Sequence, residues 1–230
     1  MNYTNPTSQE IARLIDISAV RADSTRQDVE DIIAGALKYN FICVFPMPGL
    51  LPVVFDKLKG HPQIGIGGVV GFPSGGETTE SKLAQAQELK KAGCTEIDMV
   101  LNIGKLKSGM SDDVADEIRR IKAVVSPLPL KVIIEVVLLT DEEIRIASSI
   151  ILKAGADYIK TGTGWAGATT LHHIHLIKDT VGEAIRLKVA GGVRTLDTLL
   201  EMYRMGVSRF GIGYKSALSI MEECINREKS

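Results

Sequence analysis

The chain has 230 residues, 45% of them hydrophobic, with 27 Lys+Arg against 28 Asp+Glu and a formal net charge of -1. That length supports one large or two small domains with a real core, and the balanced charge argues against a nucleic-acid partner or a disordered charged tail. The opening MNYTNPTSQE lacks the basic and apolar regions of a leader, and no apolar run approaches the ~18 residues of a membrane span. With three widely spaced cysteines (Cys43, Cys94, Cys224) that read as reduced thiols, a cytoplasmic protein without a membrane partner is expected.

After a short N-terminal helix, strand-like and helix-like runs alternate to the end of the chain. ARLIDISAV (12–20) precedes RQDVEDIIAGALKYN (26–40), FICVF (41–45) precedes LLPVVFDKLKG (50–60), IGIGGVVGF (64–72) precedes TTESKLAQAQELKKAG (78–93), and EIDMVLN (96–102) precedes DDVADEIRRIKAVV (112–125). The second half continues with KVIIEVVLL (131–139) and DEEIRIASSIILKAG (141–155), DYIK (157–160) and TTLHHIHLIKDTVG (169–182), RLKVA (186–190) and TLDTLLEMYRMG (195–206), then RFGIG (209–213) and KSALSIMEECINRE (215–228). Gly93, Gly155 and Gly206 stand where helix C-caps belong, Thr78 or Thr79 caps a helix start, and Thr140 is followed by three acids of a first turn. No linker divides the eight units, so residues 1–230 are expected to form one domain. Eight βα units predict an α/β fold, a single-domain (β/α)8 barrel whose usual size is about 250 residues. A doubly wound sheet is the competing architecture, because alternation does not say whether a sheet closes.

Parity along the strands favours the barrel. Ile97-Asp98-Met99, Ile134-Glu135-Val136, Ile159-Lys160-Thr161 and Leu187-Lys188-Val189 each set one charge between apolar or uncharged neighbours. If the neighbours face the helices, Asp98, Glu135, Lys160 and Lys188 converge in the lumen from strands four to seven. Each alone reads as a solvated rim residue; four in one parity class point to a site.

Lysine attacks a carbonyl only as the neutral amine, and near its ordinary pKa of about 10.4 almost none is neutral at pH 7. Burial and a second cation both depress it. Two lysines with an acid to move protons therefore suggest metal-free Schiff-base chemistry, an aldol cleavage or condensation. This reasoning leaves open which lysine is the nucleophile. Gly162, Gly164 and Gly167 also spell G-x-G-x-x-G. No acid ends the strand that follows and Glu183 precedes it, so the glycines read as a loop open to substrate, not a dinucleotide fingerprint, and no cofactor is expected.

Ten segments together resemble deoxyribose-phosphate aldolase, a class I aldolase family with a (β/α)8 barrel: ID (15–16), CVFP (43–46), VVGFPSG (69–75), TTESK (78–82), EIDMVLNIGKLKSG (96–109), KVIIE (131–135), LTDEEI (139–144), AGADYIKTGTG (154–164), KVAGGVRTL (188–196) and RFGIG (209–213). The resemblance implies a lyase that reversibly cleaves 2-deoxy-D-ribose 5-phosphate to acetaldehyde and D-glyceraldehyde 3-phosphate, in deoxyribonucleotide and carbohydrate catabolism. It implies that Lys160 forms the Schiff base, Lys188 perturbs it and Asp98 transfers protons. It places Asp16, Cys43 and Thr163 near the substrate, and implies a homo-oligomer, dimer or tetramer.

The chain departs from the family at informative places. A serine pair that helps hold the phosphate is replaced by Gly213-Tyr214, leaving Gly191-Gly192, Gly213 and Lys215 as candidate phosphate contacts. Trp165 stands where a lysine or phenylalanine is common, Ser18 replaces a threonine, and Arg21 adds a cation. Two alternatives follow: a Schiff-base paralogue with another small sugar or hydroxy-carbonyl substrate, and a non-catalytic sugar-phosphate-binding barrel. His172, His173 and His175 read as a helix surface without a metal, Cys43 as either a reactive thiol or a small apolar residue, and Arg194 as a partner of phosphate or of a helix carboxylate.

Overall fold

The computed structural model describes residues 6–229, so the first residues of the segment read for a leader lie outside it. Its strands are β1 Ile15–Ala19, β2 Cys43–Pro46, β3 Gly65–Val70, β4 Glu96–Val100, β5 Leu130–Ile133, β6 Tyr158–Lys160, β7 Arg186–Ala190 and β8 Arg209–Gly213. They follow one another in order around a closed barrel, as the eight alternating units predicted. The helices are α1 Ser8–Ala12, α2 Arg26–Tyr39, α3 Leu51–Lys57, α4 Thr79–Ala92, α5 Ile103–Lys107, α6 Ser111–Val125, α7 Asp141–Lys153, α8 Leu171–Val181, α9 Leu196–Arg204 and α10 Tyr214–Glu228. Among the described residues no helix is long and apolar enough to cross a membrane.

Local chemistry explains the element boundaries. Thr25, Thr140 and Thr170 each close a capping box with Asp28, Glu143 and His173, and Thr78 caps α4 through the amide of Ser81. Gly93 stops α4 in the left-handed region at φ 105°, where a Cβ is disfavoured. Each helix then turns one apolar stripe inward; in α6 that stripe is Val114, Ala115, Ile118, Ile121 and Val125.

The chain divides into two compact units, one of residues 68–192 and the other of the described residues before 68 and after 192. In the first, β4 to β7 pair in parallel with Asp98 opposite Lys131, Ile133 opposite Lys160, and Lys160 opposite Lys188. In the second, β1 lies between β2 and β8, with Asp16 opposite Cys43 and Gly211.

Three of the differences from the sequence reading have a clear local cause. The first run starts its strand only at Ile15, because α1 extends to Ala12. EIDMVLN stops at Val100, and Asn102 instead caps the unpredicted α5 by accepting from the Lys105 amide. KVIIEVVLL is not one strand: Glu135 adopts φ 52°, ψ 63° and Val136–Leu138 form a 3-10 turn. That bend brings the Glu135 carboxylate onto Thr163, which accounts for a backbone state a non-glycine residue seldom occupies.

Candidate active site

Lys160 is the last residue of β6 and is only 7% exposed, and Asp98 on β4 and Lys188 on β7 are buried more completely. Flanking residues Ile97, Met99, Ile159, Leu187 and Val189 are all buried, so the alternation that predicted these positions comes from strands packed on both faces. Oδ2 of Asp98 accepts from Nζ of Lys160 at 2.8 Å and from Nζ of Lys188 at 2.6 Å. Its other oxygen, Oδ1, accepts from Lys131 at 3.0 Å.

The electrostatics follow from that sharing. Burial lowers the Lys160 pKa, the nearby Asp98 carboxylate partly restores it, and Lys188 and then Lys131 push it down again, leaving it at about 8. Burial alone would raise Asp98, but Lys131, Lys160 and Lys188 together hold it well below the usual carboxylate range. The site thus keeps an anion between cations and presents one lysine that is part-neutral near physiological pH.

Of the four charges expected to converge, Asp98, Lys160 and Lys188 do. The fourth, Glu135, accepts instead from the amide and hydroxyl of Thr163, at 3.1 and 2.5 Å. The Thr163 hydroxyl accepts in turn from the Trp165 amide at 3.0 Å, so Glu135 organises the loop that follows Lys160. The far side of this loop is tied to β7: Thr169 donates to the Ala190 carbonyl at 3.0 Å, and Thr161 accepts from the Ala190 amide at 3.1 Å. Trp165 stays 43% exposed and meets Phe72 edge-on, ring centroids 5.9 Å apart.

The glycines of the loop serve close approach. A Cβ on Gly162 would lie 2.8 Å from Oε1 of Glu135, and one on Gly191 would lie 2.6 Å from the Gly167 carbonyl oxygen. Gly191 and Gly192 have φ near +90°, turning their backbone beside the loop. The helix after the G-x-G-x-x-G begins only at Leu171, past its third glycine, so the stretch lacks the strand–turn–helix geometry of a dinucleotide site.

In the other unit, Asp16 on β1 accepts from Arg209 on β8, at 3.1 Å from Nε and more closely from Nη2. Cys43 is fully buried on β2. Gly213 precedes α10 with φ -69°, and a side chain there would meet nothing within 4 Å, so neither backbone strain nor crowding requires a glycine. Lys215 is exposed in the first turn of α10, and Arg21 is exposed and paired with Asp23 at 3.2 Å. Back in the unit of residues 68–192, His172 meets Asp141 at 2.9 Å and His173 accepts from the Thr170 amide, both on the helix surface.

Sequence reasoning missed Lys131, Glu96 and Arg209. Lys131 had a usable signal: it stands between Leu130 and Val132 and shares parity with Glu135. The run KVIIEVVLL begins at Lys131, which within that run leaves the lysine without an apolar neighbour on one side and hides the alternation.

Residues 11–219 match the model of the DeoC/LacD family aldolases. The deoxyribose-phosphate aldolase of Sinorhizobium medicae (strain WSM419) is 46% identical over 218 residues, covering 94% of this chain and 88% of its own. That of Bacillus cytotoxicus (strain DSM 22905 / CIP 110041 / 391-98 / NVH 391-98) is 39% identical, covering 93% of this chain and 96% of its own. The tetrameric deoxyribose phosphate aldolase from Aeropyrum pernix superposes with a TM-score of 0.82 at 25% identity, over 94% of this chain and 92% of that one. A closed eight-stranded barrel, a lysine and acid cluster within it and a family match across nearly the whole sequence agree: the chain belongs to the DeoC/LacD aldolase family of lyases.

Proposed function

We propose that the chain is a class I aldolase that reversibly cleaves 2-deoxy-D-ribose 5-phosphate to acetaldehyde and D-glyceraldehyde 3-phosphate, with Lys160 as the Schiff-base lysine. The observation that carries this reading is the donation of Lys160 and Lys188 to one oxygen of buried Asp98. The neutral amine of Lys160 adds to C1 of the open-chain sugar, and loss of water gives an iminium. That cation draws the C2–C3 bonding pair into an enamine while the C3 hydroxyl gives up its proton, and glyceraldehyde 3-phosphate leaves. Protonation at C2 and addition of water release acetaldehyde and restore the amine.

Asp98 and Lys188 act at different stages of this cycle. Lys188 disfavours the ammonium form of Lys160 before attack. Asp98 stabilises the iminium, and once the enamine forms it faces one cation fewer, which raises its proton affinity when a proton must move. Thr163, Gly191 and Gly192 are proposed to border the substrate, with Asp16 and Cys43 also near it. Gly213 and Lys215 are proposed to meet the phosphate through backbone amides at the start of α10 and a side-chain charge.

Residues 1–230 are proposed to act as one catalytic domain, in the cytoplasm, within deoxyribonucleotide and carbohydrate catabolism. The tetrameric Aeropyrum pernix relative supports a homo-oligomer, which light scattering on the purified protein tests. The central test is borohydride reduction with 2-deoxyribose 5-phosphate, followed by peptide mapping. The expected result is a stable adduct on Lys160; full turnover by Lys160→Arg would overturn the assignment.

A second reading has its own observation. Gly213 has open space for a side chain, so the absence of the family's serine is not a matter of fit. A substrate lacking phosphate would suit that loss. Equal retro-aldol rates on 2-deoxyribose and its 5-phosphate support this second reading, and strong preference for the phosphate removes it.

A further inference from the structure

The cluster around Asp98 contains a lysine for which the reaction just described has no role. Lys131 on β5 is fully buried, and its ammonium lies between Asp98, at 3.0 Å from Oδ1, and Glu96, which it meets more closely. Asp98 and Lys131 are register partners, whereas Lys160 pairs with Ile133, two residues further along β5. Lys131 therefore occupies the interior layer below the reactive lysine, and Glu96, two residues before Asp98, lies lower again. The side chains form a column of alternating charge: Glu96, Lys131, Asp98, then Lys160 and Lys188.

Stability does not explain this column. Interior layers of such barrels are commonly filled by branched apolar residues, and well-packed apolar replacements of buried ion pairs are often neutral or stabilising. We propose that Lys131 is a positioning residue for the aldol reaction, anchoring Oδ1 of Asp98 from below so that Oδ2 stays directed at both Lys160 and Lys188. It also sets the charge balance of the site. Among these five side chains, three ammonium groups stand against the carboxylates of Glu96 and Asp98, so their charges balance when Lys160 is the free amine. Without Lys131 the same cluster is balanced when Lys160 is protonated, the unreactive form. Asp98 from β4, Lys188 from β7 and Lys131 from β5 all act on Lys160, and Lys131, like Lys188, favours its neutral form.

The inference rests on the assignment of Lys160 as the Schiff-base lysine, and the test separates the two. The rate of reductive trapping of acetaldehyde on Lys160 by cyanoborohydride is followed against pH, with the adduct located by peptide mapping, in the native protein, Lys131→Met and Glu96→Gln. Lys131→Met is expected to move the profile about one pH unit alkaline, lowering the rate at pH 7 about tenfold. Glu96→Gln leaves the Lys131 charge less offset and moves the profile the opposite way. Circular dichroism establishes that each variant is folded; if Lys131→Met is not, the acid shift of Glu96→Gln decides. A purely structural role changes melting temperature but not the profile, so folded variants with the native profile overturn the proposal. Absence of any Lys160 adduct in the native protein overturns the assignment of Lys160 instead.

Discussion

Lys160 and Lys188 donate to a single oxygen, Oδ2 of Asp98, at 2.8 and 2.6 Å. Two ammonium groups on one oxygen stand close enough to repel, and the one at the strand end has the lowered pKa of about 8. Its reactive form is the deprotonated one, about a tenth of the molecules at pH 7 and half near pH 8. Where imine formation limits the rate, kcat/KM is expected to rise about fivefold between pH 7 and 8 and then level off. Lys188→Met removes a cation, shifts the rise to higher pH and lowers kcat/KM at pH 7 by about 100-fold. A pH–rate profile of both proteins checks the sign and the size.

Glu135 links the left-handed bend after β5 to the loop carrying Thr163. Glu135→Ala leaves the buried Thr163 amide and hydroxyl without their acceptor and is expected to cost about 1–3 kcal/mol. Because that loop follows Lys160 directly, kcat falls as well. Urea unfolding combined with retro-aldol assays measures the two losses separately.

Gly191 has φ 91°, and a Cβ there would approach the Gly167 carbonyl oxygen, a backbone atom that has little room to yield. Gly191→Ala is expected to destabilise the chain by more than the roughly 1 kcal/mol typical of a glycine change and to weaken substrate binding through displacement of the loop. Gly213→Ala, at φ -69° and in open space, is its control and leaves the melting temperature nearly unchanged. Differential scanning calorimetry compares them.

Away from the lysine cluster, Lys82 of α4 donates to Glu117 of α6 at 2.7 Å and to the Val100 carbonyl at 2.9 Å, and both side chains are buried. Glu117→Ala strands the ammonium and is expected to cost about 3–5 kcal/mol, while Lys82→Met with Glu117→Leu recovers most of that loss. Chemical denaturation of the three proteins reads the difference. Activity per folded molecule stays close to native in the double variant if the pair is only structural.

The sequence disclosed the barrel because its strands are short, β-branched and separated by capped helices, all of which are local signals. Asp98, Lys160 and Lys188 were legible for the same reason: each is a charge set between neighbours packed in the core. What escaped depended on partners distant in sequence. The break at Glu135 requires Thr163, 28 residues later, and Asp16 finds Arg209 only because β8 returns beside β1. α5 was hidden because Asn102, its cap, ends a run that otherwise reads as strand.

Trp165, partly open to solvent and edge-on to Phe72, is also the one tryptophan in the chain. Its indole sits on the loop that leaves Lys160, so all the tryptophan emission of this protein originates there. Intrinsic fluorescence is therefore a built-in optical probe of that loop: arrival of a ligand changes the polarity around one ring, and binding can be timed without a label.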